Sequence, residues 1–161
     1  MDDNGQDQPL EAIYRQYRQG LFSLAMAITS NAMQAEDAVH DAFTRMCRAG
    51  RFFPIAYVFA AVRNAARDQL RRRRHTSELN ESIFDNQPTP ERAVLTDEAC
   101  QIVRQEIAAL ADDQREVVVM KVYGELTFDQ IAQTLGEPLQ TVASRYRRAM
   151  QKLKEQLGTR V

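Results

Sequence analysis

The stretch Thr127-Phe128-Asp129-Gln130-Ile131-Ala132-Gln133-Thr134-Leu135-Gly136-Glu137-Pro138-Leu139-Gln140-Thr141-Val142-Ala143-Ser144-Arg145-Tyr146-Arg147-Arg148-Ala149 decides how the rest of the chain is read. Thr127 followed three residues later by Gln130 is a capping box, in which each side chain satisfies a backbone N–H left unbonded at a helix start. A short helix with Ile131, Ala132 and Leu135 inward then stops at Gly136, and Glu137-Pro138 complete a three-residue turn. The second helix puts Val142, Tyr146, Ala149 and Leu153 on one face and Gln140, Thr141, Ser144, Arg145, Arg147 and Arg148 on the other. Two short helices joined this way form a helix-turn-helix. Hydrogen-bonding side chains near the start of its second helix, followed by arginines, suit the base edges and phosphates of a DNA major groove.

Upstream, the helical pattern continues. Asp112 is placed to cap a helix whose inward face is Val117, Val118 and Val122, and Thr89-Pro90 opens an earlier one with Val94, Ile102, Val103, Ile107 and Leu110 inward. From His75 to Thr89 the chain is polar and acidic and carries Pro88, so it cannot bury enough apolar surface to hold a shape alone. Before it, apolar residues at 10, 13, 14, 17, 21, 24, 25 and 28 recur in steps of three and four, the stripe of an amphipathic helix. Ala35, Ala38, Val39, Ala42, Phe43 and Met46 repeat the pattern up to Gly50, and Pro54 takes the first turn of a third helix striped by Val58, Phe59, Val62, Ala66 and Leu70. The expected architecture is all-α: two small helical domains, residues 1–75 and 90–161, joined by a flexible acidic linker at 76–89, with their relative placement only loosely fixed.

Charge follows the same division. The net charge of −1 hides nine arginines between Arg45 and Arg74 against Asp68 alone, a net of +8, and six bases after Leu139 against Glu155, a net of +5. Between these blocks, residues 76–98 hold six acids and only Arg92, a net of −5. Two separated basic blocks are a polyanion-binding signature. No apolar run approaches the roughly 20 residues that span a bilayer, and the acidic start lacks signal-peptide order, so neither membrane insertion nor export is expected. Cys47 and Cys100 are far apart without metal-ligand spacing, and are read as reduced, semi-buried thiols. With two histidines, no Gly-rich phosphate loop and no nucleophile elbow, the chain offers no catalytic residues, metal site, cofactor or small-molecule substrate.

Two blocks resemble the extracytoplasmic-function class of sigma factors, over nearly the whole chain. The run from Leu110 to Val118, Ile131-Ala132 and the run from Thr141 to Ala149 look like sigma region 4, which reads the promoter −35 element. Residues 35–43 and 57–68 look like region 2. Region 1.1 and region 3 of larger sigma factors have no room here. The resemblance implies a factor that docks on core RNA polymerase, at the largest-subunit clamp helices and the flap, and directs it to promoter DNA. An anti-sigma factor is a common further partner in the class.

Carried over by position, Asp37, His40 and Asp41 fall where region 2 docks on polymerase. Arg63, Asn64 and Arg67 fall on the helix that captures the unpaired −10 strand, with Arg71 to Arg74, Arg71 and Arg72 foremost, tracking phosphate; Phe52, Phe53 and Tyr57 are either stacking surfaces for its bases or, as aromatics at such positions more often are, core residues. Gln140, Thr141, Ser144, Arg145, Arg147 and Arg148 fall on the −35 helix. The chain departs from the family pattern in three places: Gln140-Thr141-Val142-Ala143 where Gly-Thr-Val and a basic residue are usual, Ala56-Tyr57 where a tryptophan is common, and His40 where glutamine is frequent. The alternative is a helix-turn-helix regulator acting without polymerase; it leaves the basic third helix unexplained.

Overall fold

The computed structural model describes residues 9–77 and 98–160. Seven α-helices make up these residues: α1 (Leu10–Thr29), α2 (Ala32–Ala49), α3 (Ile55–Ser77), α4 (Glu98–Ala108), α5 (Asp112–Val122), α6 (Phe128–Leu135) and α7 (Leu139–Arg160). The fold is all-α, with α1–α3 as one bundle and α4–α7 as the other. The linker, Val94 and the Thr89-Pro90 helix start lie outside the described residues, and α3 runs on to Ser77, two residues into the segment assigned to the linker.

Local chemistry sets the helix ends. Ser30 adopts a left-handed conformation (φ 54°) that ends α1, and the Asn31 side chain accepts from Gln34 N to start α2. Gly50 and Gly136, at φ 65° and 66°, end α2 and α6 in the conformation glycine adopts without steric cost. Both halves of the Thr127–Gln130 capping box are formed. Pro54 stands one position before the first turn expected for it: its carbonyl accepts from Tyr57 and Val58 N, so it caps α3, which begins at Ile55. Asp112 is likewise not a cap; Ala111 holds that position without a side-chain bond, and Asp112 is the first helical residue, paired with Arg115 at 3.0 Å.

The first bundle buries Ile13, Leu21, Leu24, Val58, Phe59 and Val62 almost completely. Each such side chain contributes about 1.5–3 kcal/mol relative to exposure. The inward face of α5 departs from its expected stripe: Val122 is 49% exposed, whereas five consecutive residues, Glu116 to Met120, are buried. A helix buried on nearly every side lies between other elements. Here α5 packs on α4, α6 and α7 of its own bundle and also on α1, while α6 packs on α3. One hydrophobic core therefore runs through both bundles. The two halves are closed on each other in this structure.

Two glycines allow the approach. A Cβ on Gly20, mid-α1, would lie 2.6 Å from Gly124 Cα and 2.8 Å from Tyr123 O. A Cβ on Gly124 would meet Phe59 Cε1 at 3.1 Å and Met120 O at 2.6 Å. Glycine inside a helix costs about 1 kcal/mol relative to alanine, and backbone contact between the halves accounts for its presence at position 20. Among the described residues, no helix is long and apolar enough to cross a membrane. Cys47 and Cys100 are exposed rather than semi-buried, because each sits on the outward side of its helix.

Candidate nucleic-acid interface

The helix-turn-helix is held from both sides. Phe128 meets Tyr146 edge to face at 5.2 Å, fixing α6 against α7, and Lys121 Nζ lies over the Phe128 ring at 4.8 Å while donating to Leu126 O. Val142 and Ala149 are fully buried and Tyr146 partly so, which rotates the opposite face of α7 outward. Gln140, Arg147 and Arg148 are exposed, and Thr141 and Ser144 half-buried beside them. Arg147 Nη2 donates to Ser144 Oγ at 3.4 Å. Gln140, Thr141, Ser144, Arg145 and Arg148 line one open cleft with Asp113 and Gln114 of α5.

Arg145 is placed differently from the other five. Its Nε lies 3.5 Å from Asp113 and its Nη2 3.6 Å from Glu137, with three-quarters of the side chain covered. It braces α7 against α5 and the turn. The sequence gives no sign of this, because its two acids lie in separate segments.

The residues assigned to the −10 strand lie along α3. Asn64, Arg67, Arg71 and Arg72 are exposed, with Arg71 paired to Asp68. Arg63 turns inward: Nε donates to Glu116 Oε1 at 3.1 Å and Nη2 to Oε2 at 3.4 Å, and only 17% of its side chain is exposed. Arg73, in the arginine run, caps the end of α1 by donating to Thr29 O at 3.1 Å. The aromatic residues divide: Phe53 is buried and stacked on Tyr57 at 4.7 Å, with the Arg51 guanidinium carbon 5.0 Å from the centroid of the Phe53 ring, while Phe52 is 63% and Tyr57 47% exposed. Phe52 and Tyr57 thus retain free ring surface, and Phe53 belongs to the core. On α2, Asp37 and His40 are exposed and Asp41 is half-buried on the same outward side, because Ala38, Val39 and Ala42 face the bundle.

Sequence reasoning missed the residues between the halves. Arg115 gathers carbonyls from both: Nη1 donates to Ala27 O of α1 at 3.2 Å, and Nη2 to Ala108 O and Leu110 O at 2.9 and 2.7 Å. The buried Thr134 hydroxyl lies 3.2 Å from Ala56 O of α3 and 2.8 Å from Gln130 O, so its single proton is shared between them. The signals were a glycine inside the α1 stripe and a carboxylate directly before three valines. Among the described residues, no group of three or more His, Cys, Asp or Glu side chains is placed to hold a metal.

Comparison with known proteins agrees with this layout. Residues 13–76 match the family model for sigma-70 region 2, and residues 100–153 that for sigma-70 region 4. The chain is 25% identical to the ECF RNA polymerase sigma factor SigW of Bacillus subtilis, over 88% of this chain and 84% of that protein. It is 26% identical to the RNA polymerase sigma-H factor of Pseudomonas aeruginosa, over 95% and 88% respectively. Its fold matches that of the sigma factor RpoE in a co-crystal with the anti-sigma factor NepR from Bartonella quintana, with a TM-score of 0.74 at 22% identity, covering 92% of this chain and 96% of that one. With two successive regions of one family matched in order and the helix-turn-helix formed where region 4 requires it, the chain belongs to the sigma-70 family, as a sigma factor of the extracytoplasmic-function class that directs RNA polymerase to promoters.

Proposed function

We propose that the two bundles divide the work of initiation. The outward side of α2, with Asp37, His40 and Asp41, docks on the clamp helices of core RNA polymerase, and the second bundle meets the flap. Asn64, Arg67, Arg71 and Arg72, joined by Arg63, hold the unpaired −10 strand, with Phe52 and Tyr57 offering stacking surface for its bases. Gln140, Thr141 and Ser144 read the −35 element in the major groove, Arg147 and Arg148 anchor the phosphates, and Arg145 positions α7. The observation that carries this reading is the division of exposed charge, acids on α2 and arginines on α3 and α7. An anti-sigma factor is proposed as a further partner, because the RpoE that shares this fold was crystallised with one. The proposed location is the cytoplasm, where polymerase works.

The test is reconstitution with core polymerase, followed by sequencing the 5′ ends of transcripts made from fragmented genomic DNA. Initiation at a shared two-part motif is the expected result. DNA binding without added initiation would point to a regulator acting without polymerase.

A further inference from the structure

We propose that Leu139 and Ala143 read the C5-methyl group of a thymine in the −35 element, at the base pair beside the one that Gln140 contacts. The proposal rests on the reading of α7 as the helix that enters the −35 groove.

Leu139 is the first residue of α7, and it is 49% exposed. The turn before it is fixed: Glu137 N donates to Ala132 O at 3.1 Å, and Val142 N donates to Pro138 O at 3.2 Å. The inward side of α7 is already filled by Val142, Ala149 and Leu153, so the core does not call on Leu139. Residues four apart stand one above the other on a helix. Leu139 and Ala143 therefore form an apolar strip, and Gln140 and Ser144 a polar strip next to it. Thr141, Arg145 and Arg148 continue round the helix to the cleft with Asp113 and Gln114 of α5. The apolar strip thus lies on the side of Gln140 and Ser144 away from α5, and it starts at the end of the helix that enters a groove first.

Ala143 is half-buried and has no atoms beyond Cβ, so it does not hold the helix off a base edge as a long side chain would. Neither side chain donates or accepts a hydrogen bond, and the strip is blind to amino and carbonyl groups. What it can recognise is an apolar group on the groove edge. Of the four bases only thymine presents one in the major groove, its C5-methyl. Closing that methyl against Leu139 withdraws apolar surface of both from water.

The test removes the methyl and nothing else. Holoenzyme carrying the full chain transcribes a −35 library to give the preferred bases. Each preferred thymine, on either strand, is then replaced by deoxyuridine, and binding to the complete promoter duplex is measured by competition. One replacement should weaken binding about fourfold, the change expected for burying one methyl-sized group. In Leu139→Ala the same replacement should lose most of its effect, and Leu139→Met, which restores apolar reach, should bring it back. The readout is a ratio between two DNAs for one protein, so a variant that is partly unfolded still reports it.

No loss at any −35 thymine in the wild type, or a preferred element without thymine, would overturn the proposal. A loss that persisted in full in Leu139→Ala would overturn the assignment to Leu139. In each of these cases the wild type would still discriminate among −35 bases. Equal transcription of every library member would instead sink the reading of α7 itself, and this proposal with it.

Discussion

Arg63 Nε donates to Glu116 Oε1 at 3.1 Å, joining α3 to α5 across 53 residues of chain, and both side chains are largely covered. Removing either partner strands the other in a poorly solvated place, so single changes should cost more than the pair itself contributes. A double-mutant cycle of Arg63→Met and Glu116→Gln, followed by urea unfolding of the free chain, should give a coupling energy of about 0.5–3 kcal/mol. Additive effects of the two changes would mean that the pair does not form in solution.

The helices were legible because their signals are local. The capping box at Thr127, the stop at Gly136 and the stripes of α1 to α3 depend on residues within a few positions of one another. The closure of the halves was not legible, since Gly20 and Gly124, or Arg63 and Glu116, are paired only by tertiary structure. The same cause misplaced Val122. Periodicity assumes one buried face, and α5, covered from both bundles, exposes Val122 while burying Glu116.

Charge reversal at Asp37 and Asp41 should weaken binding to core polymerase, because both project from α2 on the side away from the core residues Ala38, Val39 and Ala42. Losing two attractive contacts and adding two repulsive ones should lower affinity by at least about tenfold at moderate salt. The thermal midpoint should move little. Retained core affinity in the folded double variant, measured by labelled-sigma titration, would remove these residues from the docking surface.

Tyr17 gives a spectroscopic report on the same closure. Burial, and then the nearby charge of Glu125 from the second bundle, raise its phenol above the ordinary tyrosine value. Because the folded value is raised, the neutral phenol's contribution is fully present below the ordinary value of about 10 and is lost as pH rises through the raised one. The difference in absorbance at 295 nm between the wild type and Tyr17→Phe isolates this titration. In Gly20→Ala the transition should move down toward the ordinary value; an identical curve would mean that the second bundle does not set it.

The direction of side chains on α7 predicts what each contributes to promoter choice. With Val142 and Ala149 buried, Gln140, Thr141 and Ser144 stand on the outward side of the first turn and a half, the part of such a helix that enters a groove deepest. Arg148 lies a turn further along and is exposed, suited to phosphate. A bidentate base contact contributes about 1–3 kcal/mol of discrimination, so Gln140→Ala should relax preference at one −35 position by roughly tenfold. Arg148→Ala should weaken all promoters together and flatten the salt dependence by about one counterion. Arg145→Ala, which frees Asp113 and Glu137, should lower activity on every promoter by loosening α7 without changing the preferred base. The measurement is a position-by-position −35 library transcribed by holoenzyme carrying each variant. If Gln140→Ala lowered every promoter equally while Arg148→Ala changed the preferred base, the two roles would be exchanged. If none of the three altered −35 dependence, α7 would not be the reading helix.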